Sequence, residues 1–291
     1  MTTKQEKRNF LKKQSNEREP FFSNSPEAKK SLGQNFLKEE KFLDLIVDTA
    51  KIDKKETILE IGPGTGLLTD KILSFSKNVF CIEKDRRMIQ YLADKYKGES
   101  CFPIVSEDDI LKVNLPLFLE ENKIKEYKVV ANIPYYITGK LIRLFLETKI
   151  RPNSLTLLVQ KEIAKRICSK AASMSILSIS VQYFGDVKII KEVSKEAFSP
   201  VPKVDSAIIH IVPFKGNRET LVLEKRFFQV VKNGFSNPRK KLLNNLVAGL
   251  ELNKDNLKEI FKKLDLEENV RAQELSVGKW KILRDETIDS F

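Results

Sequence analysis

Thr57-Ile-Leu-Glu-Ile-Gly-Pro-Gly-Thr-Gly66 is an apolar run that stops abruptly on three glycines at alternate positions. Thr57 to Ile61 reads as a buried strand, short, rich in β-branched residues and bounded by a turn signal. Gly62 to Gly66 then form a tight turn, where absent side chains let the backbone approach a ligand closely. Leu67 to Phe75 continues at helical spacing, so the first amides of that helix face whatever the turn cradles. Strand, glycine turn and helix in this order make an α/β unit, and repeated units of this kind build a parallel sheet.

Working outward, Asn78-Val-Phe-Cys-Ile82 is the next strand and it ends in Glu83. The separation 83 − 62 = 21 matches the acid that takes ribose hydroxyls about 20 residues after the glycine turn in Rossmann-type folds. Read this way, Glu83 carries only ribose hydrogen bonds, and its removal leaves the fold intact. After a helix over Arg86 to Lys97, Cys101 to Val105 is a third strand closed by Asp108-Asp109. A carboxylate there accepts from an adenine amino group or, alternatively, caps the next segment. Val129-Val-Ala-Asn132 is the fourth strand. Pro134 cannot donate to a ladder and extends the residue before it, so the strand stops at Asn132 and the Ile133 carbonyl loses a regular partner. The Asn132 side-chain oxygen, the Ile133 carbonyl and the Tyr135 ring then suit an exocyclic amine on a planar base. The alternative is an ordinary Asn-x-Pro turn.

Further along, Gly139 to Glu147, Lys161 to Ser169 and Met174 to Phe184 read as helices, and Ser154 to Gln160, Asp186 to Val193 and Ser206 to Pro213 as strands. The alternation predicts a doubly wound α/β layer, mostly parallel, whose short closing pair is antiparallel. Ala197 to Asp205 holds two prolines and is a stiff loop. Phe198 at its start is either a ring poised for a ligand or a core anchor. Beyond Phe214 the strand signal vanishes, and Phe227 to Phe235, Leu242 to Leu250, Leu257 to Leu264 and Val277 to Leu283 read as four helices. The chain thus divides into a basic arm over residues 1–30, read as disordered or loosely helical, a sheet domain over 31–214 and a small all-α domain over 215–291.

Lys and Arg number 52 against 40 Asp and Glu in 291 residues, a net charge of +12 that suits a polyanionic partner. Lys12, Lys13, Lys29 and Lys30 in the arm, and Arg239 to Lys241 at a helix start, are the densest basic groups. A single histidine, His210, excludes a His-based triad or His-rich metal site, and no metal is expected. Cys81, Cys101 and Cys168 lack Cys-x-x-Cys spacing and read as reduced thiols of a cytosolic protein. No apolar run reaches membrane-spanning length, and no signal-peptide core is seen. A soluble, cytoplasmic monomer is expected.

Gly33-Gln-Asn-Phe-Leu37, Glu60 to Gly66, Asn132-Ile-Pro-Tyr135, Val159 to Arg166, Phe198 to Ser206 and Arg271 to Ser276 together resemble the small-subunit ribosomal RNA adenine N6,N6-dimethyltransferases, the kasugamycin-resistance family. The resemblance covers nearly everything from Lys30 to Leu283. Asn-x-Pro-Tyr is shared by many amino-methylating enzymes, and the last two motifs select this family. It implies a class I methyltransferase sheet with a helical RNA-binding domain, and S-adenosylmethionine as cofactor. The cofactor would meet Asn35 and Leu37, Gly62, Glu83 through its ribose, Asp109 through its adenine and Asn132 at its methionine end. Asn132, Ile133, Pro134 and Tyr135 would hold the target adenine, with Phe198 packing on the flipped base. The implied partner is small-subunit ribosomal RNA, methylated at two adjacent adenosines near its 3′ end. Ser175 to Ser178, Pro238 and Leu243 depart from the family pattern at RNA-contacting segments, not at the methyl-transfer site. Rival readings are a large-subunit enzyme of the macrolide-resistance type and a non-catalytic ribosome-assembly factor.

Overall fold

The computed structural model describes residues 25–100, 103–216 and 219–287. Lys12, Lys13, Cys101 and most of the arm lie outside them. In chain order the strands are β1 (Phe36–Leu37), β2 (Ile58–Ile61), β3 (Val79–Glu83), β4 (Ile104–Glu107), β5 (Lys128–Asn132), β6 (Ser154–Gln160), β7 (Gly185–Val193), β8 (Phe198–Ser199) and β9 (Ser206–Pro213). The helices are α1 (Glu40–Ala50), α2 (Leu67–Leu73), α3 (Arg86–Lys95), α4 (Leu115–Glu121), α5 (Thr138–Glu147), α6 (Lys161–Ile167), α7 (Ile176–Phe184), α8 (Leu221–Gly234), α9 (Leu242–Leu250), α10 (Lys254–Lys263) and α11 (Val277–Glu286).

Seven strands form one sheet in the order β4-β3-β2-β5-β6-β9-β7. β4 through β6 run parallel, whereas β9 and β7 join antiparallel. The central strands β2, β5 and β6 are almost wholly buried because both their faces are covered. The chain lays down β2, β3 and β4 in one direction, then returns to place β5 on the other side of β2. That reversal opens a crevice beyond the carboxyl ends of β2 and β5, where open α/β sheets take their ligands. Register fixes what meets there. Ile61 pairs with Ala131 and Ile82, so Gly62, Asn132 and Glu83 follow at the ends of three adjacent strands.

Two expectations are corrected. The third strand runs Ile104–Glu107, two residues further than Val105, after a Pro103 that has no N–H to give a ladder; its expected start at Cys101 lies outside the described residues. Sequence reading also passed over α4, which Asn114 caps by accepting from the Leu117 amide at 3.4 Å.

One face of the sheet packs Phe42, Ile46, Leu68 and Ile72 against Ile58 and Cys81. The other face holds Leu141, Phe145 and Ile179, and the same core continues into Phe227, Val231, Leu246, Trp280 and Leu283 of the C-terminal helices. Tyr183 of α7 stacks on Phe227 of α8 with ring centres 4.2 Å apart. Its hydroxyl donates to Glu219 at 2.7 Å, and Glu219 also pairs with Arg284 of α11. The helical segment is therefore joined to the sheet layer by a shared apolar core and by the hydrogen bond from Tyr183 to Glu219, which Arg284 holds from its own side.

Candidate active site

The crevice is lined by residues 32–37, the glycine turn, Glu83, Lys84, Asp108 to Leu111 and Asn132 to Pro134 with Tyr136. The turn is held left-handed at three points, with φ of 67° at Gly62, 55° at Gly64 and 76° at Gly66. A side chain at Gly64 would come within 2.8 Å of the Phe36 ring, so the N-terminal segment lies directly on the turn.

Glu60, Glu83, Asp108 and Asp109 all line this space. Glu83 Oε1 accepts from the Lys84 and Asp85 amides, each at 2.8 Å, and Oε2 from the Gly64 amide at 3.2 Å. Burial pushes its carboxyl above the usual range, and those amides pull it back. Asp109 accepts from the Leu111 amide at 3.1 Å and from Lys84 Nζ at 2.9 Å, which holds its carboxyl low. It thus caps a turn as well as facing the cleft. Glu60, on β2, was missed in the sequence because a carboxylate inside an apolar strand reads as an exposed alternate. It is 1 % exposed, and burial pushes it up to about 7 despite donors at Thr69 Oγ1 (2.7 Å) and Cys81 Sγ (3.6 Å). Both donors reach Oε2, so Oε1 is the oxygen left for the cleft.

Residues 32–37 close the crevice. Gln34 Nε2 donates to Asp85 at 3.0 Å, and β1 pairs with β8 through Phe36–Ser199 and Leu37–Phe198. Asn132 Nδ2 donates to the Asn35 carbonyl at 3.1 Å, which leaves its Oδ1 free to accept. Among the described residues no donor reaches the Ile133 carbonyl. Asn132 and Ile133 both line the crevice, at the end of the strand beside the one that leads into the glycine turn. Tyr135 is tethered by its hydroxyl to Ser206 Oγ at 2.8 Å, while Tyr136, 63 % exposed, lines the cleft. Phe198 requires correction. At 1 % exposed it packs with Leu37, Leu43 and Val193 in the core and offers no face to a base in this conformation. Its pairing with Leu37 turns it inward, so the core-anchor alternative describes it.

Away from the crevice, Arg239, Lys240 and Lys241 precede α9 and line a groove with Asn244, Asn269, Arg271 and two acids, Glu267 and Glu274. All three are exposed. No helix among the described residues is long and apolar enough to cross a membrane.

Residues 26–287 match the family model described as ribosomal RNA adenine dimethylase. The chain belongs to that family. The dimethylase is 38 % identical over 256 residues to "Ribosomal RNA small subunit methyltransferase A" of Dehalococcoides mccartyi, covering 88 % of this chain and 87 % of the relative. It is also 38 % identical to the protein so named from Fusobacterium nucleatum, covering 87 % of this chain and 94 % of the relative. Among solved structures, a dimethyladenosine transferase from Plasmodium falciparum superposes with a TM-score of 0.75 at 28 % identity, over 88 % of this chain and 98 % of that one. The 23S rRNA methyltransferase ErmE, at 0.71 and 23 % identity over 86 % and 98 %, shares the fold. As a member of this family the dimethylase is an S-adenosylmethionine-dependent methyltransferase acting on ribosomal RNA. The crevice fits that cofactor chemically: carboxylate acceptors suit an adenine amine, ribose hydroxyls and a cationic methionine end, beside a turn in which every second residue is glycine.

Proposed function

We propose that this dimethylase methylates the N6 amines of two adjacent adenosines near the 3′ end of small-subunit ribosomal RNA, as a cytoplasmic monomer, and so contributes to subunit assembly. The observation that carries the reading is that Asn132 Oδ1 and the Ile133 carbonyl, both of residues lining the crevice with the glycine turn, have no donor among the described residues. In this reading the ribose hydroxyls go to Glu83, the adenine amine to Asp109 and the remaining cofactor contacts to Asn35, Leu37 and Gly62.

S-adenosylmethionine, when bound, supplies an electrophilic methyl group. The chain's task is to aim a poor nucleophile, since the adenine amine delocalises its lone pair into the ring. Asn132 Oδ1 and the Ile133 carbonyl accept the two N–H bonds, favour a pyramidal nitrogen and relieve the positive charge that grows on it. Pro134 holds the second carbonyl in place by keeping Ile133 extended. Positioning and preorganised acceptors together supply the rate. The methylated ammonium is acidic enough to lose its proton to water, so the lack of a histidine at the site is consistent with the chemistry. The base must leave its stack to enter, at a cost of a few kcal/mol. Tyr135 and the exposed Tyr136 beside the acceptors are the rings available to receive it, each stacked ring contributing about 1–3 kcal/mol.

Relatives named for the small subunit favour this target over a large-subunit one, because the likeness to ErmE extends to fold alone. A primer-extension map of ribosomal RNA from cells with and without the gene tests it. Paired stops near the small-subunit 3′ end, lost with the gene, are expected. Stops lost from large-subunit RNA would transfer the protein to the rival target, and unchanged maps would make it an assembly factor.

A further inference from the structure

Behind the glycine turn, on the side away from the crevice, the end of α3 presses against Gly66. A side chain there would come within 2.8 Å of Leu92 and of the Tyr96 hydroxyl, and within 3.0 Å of Lys95 Nζ. Lys95 makes three bonds here, two to the turn and one to the helix α2 that follows it. Its ammonium donates to the Thr65 carbonyl at 3.0 Å, the Gly66 carbonyl at 3.2 Å and Asp70 Oδ2 at 2.7 Å. Tyr96 donates to the other carboxylate oxygen of Asp70 at 2.9 Å. The Lys95 and Asp70 side chains are only 17 % and 26 % exposed, so this is a built cluster and not a loose surface pair.

We infer that Lys95, seated by Asp70 and Tyr96, is a positioning residue for the cofactor. A peptide unit is planar, so holding a carbonyl on one side fixes the direction of the next N–H. Lys95 draws the Thr65 and Gly66 carbonyls backwards, away from the crevice. The Gly66 amide is thereby committed to Pro63 at 2.9 Å, and the Leu67 amide is turned to the opposite side from the Gly66 carbonyl. Gly64, Thr65 and Leu67 all line the crevice, so the ammonium, with the Tyr96 hydroxyl on the Gly66 carbonyl at 3.3 Å, braces from behind the surface offered to the cofactor. Without the ammonium, the Thr65 and Gly66 carbonyls lose their charged donor, and the Gly66 carbonyl keeps the Asp70 amide at 2.9 Å and the Tyr96 hydroxyl at 3.3 Å. Asp70 would also keep its charge without its cation, close enough to Glu60 to raise the proton affinity of that carboxyl, which Lys95 now opposes.

This inference rests on the placement of S-adenosylmethionine in the crevice, and the test separates the two. Calorimetric titration with S-adenosylhomocysteine is run on wild type, Lys95→Met, Asp70→Asn and Glu83→Gln, with a thermal melt of each. Lys95→Met should raise Kd roughly ten-fold at unchanged stoichiometry, the effect expected on removing charge-assisted hydrogen bonds. Asp70→Asn, which unseats the ammonium without removing it, should shift Kd less in the same direction, and carries the test if Lys95→Met does not fold. Affinity for ribosomal RNA should not move. A merely structural role would lower the melting temperature and the binding stoichiometry while leaving Kd at its wild-type value, and that result overturns the inference. If Glu83→Gln also leaves Kd unchanged, the placement of the cofactor is at fault instead.

Discussion

Glu83 offers the sharpest perturbation, because the structure gives it more to do than the sequence suggested. Its carboxylate holds three backbone amides, and the bonds to Gly64 and Asp85 are fully buried. Glu83→Ala therefore leaves two buried donors unsatisfied, at about 1–3 kcal/mol each, or about 2–6 kcal/mol in all. At roughly 2–4 °C per kcal/mol for a chain of this size, the melting temperature should fall on the order of 10 °C. Glu83→Gln can keep its oxygen on the Lys84 and Asp85 amides, but its NH2 group then meets the Gly64 amide, so it should lose one bond and fall between Ala and wild type. Both variants also lack the charged acceptor for ribose, worth about 1.5–3 kcal/mol, or roughly ten- to a hundred-fold in cofactor affinity. Scanning calorimetry with S-adenosylhomocysteine titration at a temperature where each variant is folded measures both effects. A Glu83→Ala protein that melts like wild type would refute the role assigned to the three amides. One that binds like wild type would refute the ribose assignment.

Asn132→Ala should slow single-turnover methyl transfer by roughly 10² to 10³ at saturating cofactor and RNA, by analogy with the removal of one preorganised donor from an oxyanion hole. RNA affinity should largely survive, and near-normal transfer would reduce Asn132 to the end of a strand. Replacing Arg239, Lys240 and Lys241 together with Ala should weaken RNA binding and flatten the log Kd against log salt slope by somewhat less than one unit for each phosphate no longer neutralised. An unchanged slope would make the cluster a solvated face. Glu60 sets a pH dependence. Its folded carboxyl lies near 7, above the ordinary 4.5. The folded state therefore holds a proton that the unfolded chain releases, and stability falls as pH rises from about 4.5 to about 7, by about 3 kcal/mol. Glu60→Gln should abolish that slope, and denaturant titrations across this window showing the same slope in both proteins would contradict the assignment.

Much of this architecture was legible because its signals are local. β6, β9 and α9 begin and end where Ser154 to Gln160, Ser206 to Pro213 and Leu242 to Leu250 suggested, since each is an apolar-rich stretch set between polar neighbours or a proline. Glu83 and Asn132 were readable because strands ended on them. What escaped is long in sequence and short in space. Gln34 meets Asp85 across 51 residues and Asn35 meets Asn132 across 97, and no periodicity marks either pairing. Phe198 illustrates a different gap. Its neighbours in sequence are mostly polar or proline, and only the two-residue pairing with β1 decides that its ring turns inward. The α4 helix was passed over because its Pro116 reads as a breaker, whereas in the first turn it is tolerated.

The ladder between β2 and β5 has a further consequence, for how this enzyme can change. Ile61 faces Ala131 across two parallel strands whose apolar side chains are locked between two helical layers. Shifting either strand by one residue would turn its buried set toward the wrong layer. The glycine turn and Asn132 are thus indexed to the sheet like two teeth on meshed gears. Conservative exchange of Val129, Val130 or Leu59 alters packing by small amounts and leaves the two teeth aligned. A single inserted or deleted residue between Ile58 and Gly62, or between Lys128 and Asn132, would move acceptor and turn out of phase. In these two short stretches, length is under tighter constraint than identity.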